Sequence, residues 1–244
     1  MSKKNNNALI LFTKAPRLGQ VKTRLQPELT PEQSLLLYQA MVEDTVRQFN
    51  DVAFCDLKIF FHPADANGEM KIWLGNQFDY FPQQGHDLGE RMHHAIAEML
   101  NQKYDKVTLV GSDIPNLDAT TMLRAFASMD NHDVVLGPSN DGGYYLIGMK
   151  LPHPELFKEI VWSTNLVLQQ TIHRARAIEL KIIQLEKKSD IDSYHEVQSL
   201  WKYLQQQNRA RIYSNHSNTY EALRKIFEIE DASNANERGE DERI

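Results

Sequence analysis

Short, wholly apolar runs alternate along this chain with longer stretches in which apolar residues recur every three or four positions. Ala8-Leu9-Ile10-Leu11-Phe12 is the first run and reads as a buried strand. A polar loop from Thr13 to Thr30 follows. Thr30-Pro31-Glu32-Gln33 then carries the marks of a helix start: a capping threonine, a proline at the first helical position and a capping-box partner. Leu36, Tyr38, Met41, Val42 and Val46 stripe that helix as far as about Phe49. Beyond it the pattern predicts strands at 57–61, 78–81, 106–110, 133–136, 144–149 and 182–185. Helices are predicted at 67–74, 88–102, 118–129, 163–177 and 196–205. Strands alternating with helices of this length imply an α/β fold, with a mostly parallel sheet covered on both faces. No internal repeat is visible. From about Gln207 the apolar pattern thins, leaving a short helix at 220–227 and a polar, acidic run from Glu228 to Ile244. Residues 1–206 are therefore expected to form one domain and 207–244 an extension ending in a solvated tail.

Composition narrows the chemistry. No apolar run approaches the roughly 20 residues of a membrane helix, and the N-terminal run is too short for a signal-peptide core. The single cysteine, Cys55, excludes an intrachain disulfide and a cysteine metal cage, which fits a cytoplasmic protein. The formal net charge of −6 argues against a grip on nucleic-acid backbones. Its distribution says more: residues 226–244 hold seven acids and two bases, which leaves only −1 on everything before them. The body of the chain is nearly neutral and can hold an anionic small molecule wherever its positive charge is local.

Such a place exists after the first strand. Lys14, Arg17, Lys22 and Arg24 fall within eleven residues with no acid among them, and Pro16 and Gly19 shape the loop between them. Arginine grips phosphate bidentately and lysine acts as a point charge, so the loop is either a phosphate cradle or a solvated basic loop. It lacks the spacing of a Walker A loop. Val110-Gly111-Ser112-Asp113-Ile114-Pro115 ends a strand on an acid. A carboxylate at a strand's carboxyl end can hold Mg²⁺ or Mn²⁺ beside substrate phosphates, or it can cap the next helix, a task for which Asp118 is better placed. Gly137-Pro138-Ser139-Asn140-Asp141-Gly142-Gly143-Tyr144-Tyr145 puts an acid and two glycines before two tyrosines. It reads as an acceptor-binding loop in which Asp141 binds metal or orients a hydroxyl, or else as an ordinary Asp-Gly hairpin turn. Gly85-His86-Asp87-Leu88-Gly89-Glu90-Arg91 enters a helix, where the backbone and Arg91 can favour an anion, unless Asp87 and Glu90 only close a capping box. No His-x-x-x-His or His-Glu-x-x-His pair occurs, so a zinc hydrolase is disfavoured. Ser112 lacks a nucleophile elbow.

Taken in order, Lys14-Ala15-Pro16 with Gly19 and Val21-Lys22-Thr23-Arg24-Leu25, Asp87 to Met92, Gly111 to Pro115, and Gly137-Pro138 with Asp141 to Gly148 resemble the DUF2064 family of glycosyltransferase-A-like proteins. Trp162-Ser163-Thr164 and Asp190-Ile191-Asp192 match its later stretches. The resemblance spans about Leu9 to Leu204. It implies a Rossmann-like three-layer nucleotide-diphospho-sugar transferase fold, related to the molybdenum-cofactor and phospholactate nucleotidyltransferases. It also implies nucleotide-phosphate contacts at Lys14, Lys22 and Arg24 and a divalent metal on Asp113. The chain has Ser112-Asp113 where glycosyltransferases have Asp-x-Asp, so the second metal ligand is open between Asp141 and Asp192.

The expected function is a metal-dependent transferase that uses a nucleotide-diphospho-sugar donor to glycosylate a small acceptor. Asp113, Asp141 and Lys22 would be catalytic. Lys14, Pro16, Gly19, Lys22, Arg24, Gly89 and Arg91 would line the nucleotide, and Gly142, Gly143 and Tyr144 the acceptor. A nucleotidyltransferase joining a nucleoside triphosphate to a small phosphorylated acceptor, with release of pyrophosphate, uses the same residues. A nucleotide-binding module without activity is the third possibility.

Overall fold

The computed structural model describes residues 6–50, 52–209 and 217–228. Two compact units divide them. One comprises residues up to Pro16 and Thr45–Asp190; the other comprises Arg17–Asp44 and the described residues from Ile191 onward. Leu25 to Met41 share a core with residues of 191–226.

The first unit is built on seven strands: β1 (Asn7–Lys14), β2 (Asp56–His62), β3 (Asp79–Pro82), β4 (Lys106–Gly111), β5 (Val134–Pro138), β6 (Tyr144–Met149) and β7 (Ile182–Gln184). Their order in the sheet is β3-β2-β1-β4-β6-β5-β7. All run parallel except β6, which lies antiparallel between β4 and β5. Six consecutive residues of β1, Ala8 to Thr13, are buried, as a central strand covered on both faces requires.

One face of the sheet, with Ala8, Ile10, Phe12, Val107, Leu109, Val134, Leu136 and Ile147, packs against Met92, Ala95, Ile96 and Met99 of helix α3 (Leu88–Asn101). The same cluster takes in the short 3₁₀ turn Pro154–Phe157 and helix α5 (Val167–Ala177). The opposite face meets helix α4 (Ala119–Ser128) and the residue after it: a Cβ on Gly148 would lie 3.1 Å from Thr108 Oγ1 and 3.2 Å from Met129 Cε. The three-layer α/β arrangement expected from the sequence is present. Helix α2 (Asn67–Leu74) has the expected bounds.

Helix α5 starts at Val167, four residues later than the periodicity predicts. Ser163 takes a left-handed φ of 63° and Thr164 Oγ1 donates to the Val161 carbonyl, so 161–166 turns before it coils. The first turn of α5 has no side-chain cap; the Leu168 N–H bonds instead to the Gly142 carbonyl. The 3₁₀ turn Pro154–Phe157 is an element that periodicity does not reveal.

In the second unit the start of helix α1 (Pro31–Asn50) closes its expected capping box: Gln33 N donates to Thr30 Oγ1 at 3.2 Å, and Thr30 N to Gln33 Oε1 at 2.8 Å. Leu25, Leu29, Leu37 and Met41 form one core with Ile191, with Val197, Leu200 and Leu204 of helix α6 (Tyr194–Arg209), and with Leu223 and Ile226 of the helix over 217–228. Trp201 stacks on Phe227 with ring centroids 5.7 Å apart. The expected short helix at 220–227 lies within 217–228; the acidic run after Glu228 is outside the described residues.

Candidate functional site

β1, β4 and β5 run in one direction, so the loops that leave them open on the same edge of the sheet, where ligands of parallel α/β sheets collect. β6 enters the sheet from that edge. The expected acids Asp113 and Asp141 both belong to these loops.

β4 ends at Gly111, and a Cβ built on that glycine would meet no atom within 4 Å. Buried Ser112 and half-buried Asp113 follow. Ile114 and Pro115 then turn inward, and Leu117 N–H closes the turn on the Ile114 carbonyl. The helix-capping task falls to Asp118, whose carboxylate accepts from Thr121 N at 2.6 Å. Burial raises the Asp118 pKa, but the Thr121 hydrogen bonds, followed by the charges of Lys188 and Arg124, hold it below the ordinary value.

The connection from β5 to β6 is a tight hairpin, and its acid is exposed. Asp141 Oδ1 accepts from the Ser139 hydroxyl and from Gly143 N. Oδ2 has no hydrogen-bond partner among the described residues. Gly142 must be glycine: its φ is +89°, and a Cβ would lie 2.3 Å from the Asn165 carbonyl oxygen. Tyr144 turns the other way. Its hydroxyl is buried beside Thr171 of α5, and burial pushes its pKa up, so it offers no hydroxyl at the sheet edge.

The segment before α3 closes a capping box. Glu90 N donates to Asp87 Oδ1 at 2.8 Å, and His86 N to Glu90 Oε2 at 2.8 Å. Arg91 Nε donates to the Gly85 carbonyl at 3.1 Å. Gly89 is buried, and a Cβ on it would come within 2.4 Å of the Trp162 indole; the glycine admits that ring. Gln83, which sequence reasoning missed, donates to the Thr13 and Phe60 carbonyls and ties the exits of β1 and β2 together. Lys14, the last residue of β1, and Pro16 stand where that strand opens, with Lys14 exposed.

In the second unit Gly19 has a φ of +73° and open space where a Cβ would sit. Lys22, also left-handed, heads the 3₁₀ turn Thr23–Leu25. Its ammonium, 3% exposed, donates to the Ile191 carbonyl at 2.6 Å and to Asp192 Oδ1 at 3.2 Å. Arg24 meets the other oxygen of Asp192 at 3.0 Å while remaining 65% exposed. Of this pair, Arg24 is the cation presented to solvent, and Asp192 is neutralised by both.

No three His, Cys, Asp or Glu residues converge as a ready metal cage among the described residues. Mg²⁺ commonly takes one or two carboxylates and completes its shell with waters and substrate phosphates. An acid on an open strand end fits that mode and does not fit a resident structural zinc. A groove of about 560 Å³ in the first unit, lined by Glu90, His93, Glu155, Phe157, Arg174 and Ile178 among others, contains none of the expected site residues. No helix among the described residues is long and apolar enough to cross a membrane.

Comparison with known proteins places this architecture. A "putative nucleotide-diphospho-sugar transferase" from Desulfovibrio desulfuricans G20, solved at 1.90 Å, shares 32% identity over 91% of this chain and 98% of its own, with a TM-score of 0.82. Two more distant structures share the fold. Rv0371c from Mycobacterium tuberculosis H37Rv has 13% identity and a TM-score of 0.51 over 82% of this chain and 99% of its own. A CMP:2-keto-3-deoxy-manno-octonic acid synthetase complexed with CTP has 9% identity and a TM-score of 0.52 over the same shares. No curated protein matches. The family described as "Uncharacterized protein conserved in bacteria (DUF2064)" matches residues 45–164, which include β2 to β6 and both edge acids. With that match and a one-third-identical relative covered almost end to end, the chain belongs to the DUF2064 family.

Proposed function

We propose that the chain is a metal-dependent transferase that takes a nucleotide-diphospho-sugar donor and glycosylates a small acceptor. The observation that carries this reading is Asp113 at the open exit of β4, with capping of the following helix delegated to Asp118. Asp113 would hold Mg²⁺ or Mn²⁺, with Asp141 as the second acid; the ion would supply charge neutralisation for the departing diphosphate. Lys14, exposed at the exit of β1, would draw the donor phosphates. Asp141 keeps Oδ2 available and would orient the acceptor hydroxyl and accept its proton as the sugar transfers. Gly142 and Gly143 leave the backbone bare beside it. Such catalysis is mostly orientation and electrostatic stabilisation, so no covalent nucleophile is needed. The similarity to a protein described as a nucleotide-diphospho-sugar transferase supports the donor class.

Nucleotidyl transfer from a nucleoside triphosphate is the second reading, supported by the fold shared with a synthetase bound to CTP. The two separate in one experiment: UDP-, GDP- and CDP-sugars and the four nucleoside triphosphates are each incubated with acceptor pools, with and without Mn²⁺. The expected result is metal-dependent release of nucleoside diphosphate from a nucleotide sugar. Pyrophosphate release without sugar transfer overturns the leading reading. Thermal stabilisation by UDP or GDP that is indifferent to metal and to Asp113→Ala, with no turnover, identifies a binding module instead.

A further inference from the structure

β4 and β5 carry the two edge acids on their exit loops, yet they are not neighbours, because β6 lies between them. The ladder joins the two exits only through β6, where Leu146 pairs with Val110 of β4 and with Gly137 of β5, and it stops short of both acids. Beyond its end a side chain ties the two loops. After β7 the chain runs on beside the end of β5: Leu185 N donates to the Leu136 carbonyl, Lys188 N to the Pro138 carbonyl at 3.1 Å, and residue 188 pairs with Ser139. Asn140 Nδ2 then donates to Ser189 Oγ. The backbone of Lys188 is thus part of the β5 exit. Its ammonium crosses to the other exit and donates to the Asn116 carbonyl at 2.9 Å, inside the turn that follows Asp113.

The Lys188 side chain is only 7% exposed, and its nearest carboxylate, Glu186 at 3.7 Å, is itself mostly in solvent. Burying an ammonium against a neutral carbonyl is costly, and solvent could satisfy the Asn116 carbonyl, since Asn116 is exposed. The charge also helps hold the Asp118 carboxyl below its ordinary pKa. What the ammonium adds beyond that is a tie between two loops past the end of the ladder.

We propose that Lys188 is a positioning residue that locks the Asp113 turn to the Asp141 hairpin and so sets the spacing of the two acids. The inference rests on the transferase reading for its catalytic consequence, but the mechanical coupling stands by itself. Both are tested on the full chain with Lys188→Met, Lys188→Gln and Lys188→Arg. In K188M, amide exchange at 112–117 and 139–143 should rise about tenfold while the β1 amides keep their protection. Turnover should show kcat falling about tenfold or more with donor KM held within about threefold, and Arg should restore both readouts. Unchanged exchange in K188M and K188Q, or an effect on KM alone, overturns the proposal. So does loss of protection throughout the sheet in both neutral variants, which is the mark of a scaffold residue. If the wild-type chain turns over no donor, the transferase reading fails separately, and the exchange pattern still decides whether Lys188 couples the loops.

Discussion

At Asp113 and Gly142 two different constraints meet on one sheet edge. Asp113 is spared the capping role and is the residue whose charge the proposed chemistry needs. Asp113→Asn keeps size and polarity, so the thermal midpoint should stay within about 2 °C while turnover drops by about a hundredfold or more. An active variant with full metal dependence would remove the metal from this residue. Gly142 is constrained by conformation. Alanine there brings a left-handed φ and a Cβ against the Asn165 carbonyl, and should cost about 1–3 kcal/mol in urea unfolding. Because Gly142 also supplies the carbonyl that receives Leu168 N–H, G142A should loosen the first turn of α5 as well.

Among the elements, the helix over 217–228 has its first turn held by a side chain of α1. Asp44 of α1 is 3% exposed, and its carboxylate accepts from Asn218 N, from Thr219 N at 2.8 Å and from Thr219 Oγ1 at 2.7 Å. A carboxylate on α1 thus caps a helix far along the chain. Asp44→Ala removes the acceptor of buried N–H groups and should cost that helix about 1.5–3 kcal/mol, read as faster amide exchange over 217–228 with the β1 amides unchanged. The sequence states none of this, because an acid in the middle of an amphipathic helix looks like solvent-facing charge. Lys188 escapes notice for the same reason, sitting in the polar run Glu186-Lys187-Lys188-Ser189-Asp190. Local grammar was legible: the Thr30–Gln33 box, the Asp87 and Asp118 caps and nearly every strand follow from neighbours a few residues apart. What needed coordinates was tertiary. Examples are the burial of the Tyr144 hydroxyl, the Trp162 ring over Gly89 and the commitment of Lys22 to the 191–192 segment. The reversed direction of β6 was half visible, since an Asp-Gly turn permits a hairpin without requiring one.

Across the whole molecule, the lone cysteine offers a probe of integrity. Cys55 is buried, and burial, with a smaller contribution from the Asp56 charge, pushes its thiol up to about 12. The reactive thiolate is thus scarce at neutral pH as well as shielded. A thiol reagent at pH 8 should leave the native protein unlabelled, and labelling in urea should track the loss of sheet structure. Prompt native labelling would mean that the start of β2 opens locally.

The reversed β6 also bears on how the sheet assembles. Pro138 pairs with Tyr144 and Val134 with Met149, so the β5–β6 ladder closes over a few residues, whereas Asn7 must find Lys106 across nearly half the chain. Hairpins form in about 1–10 μs, and long-range parallel pairing waits on loop closure. The turn that presents Asp141 therefore belongs to the part of the sheet able to exist first. The expected order is the β5–β6 hairpin first, then β4 and then β1, and pulse-labelled amide exchange during refolding should protect 144–149 before 8–13. On that order the edge that presents Asp141 is organised before the centre of the sheet.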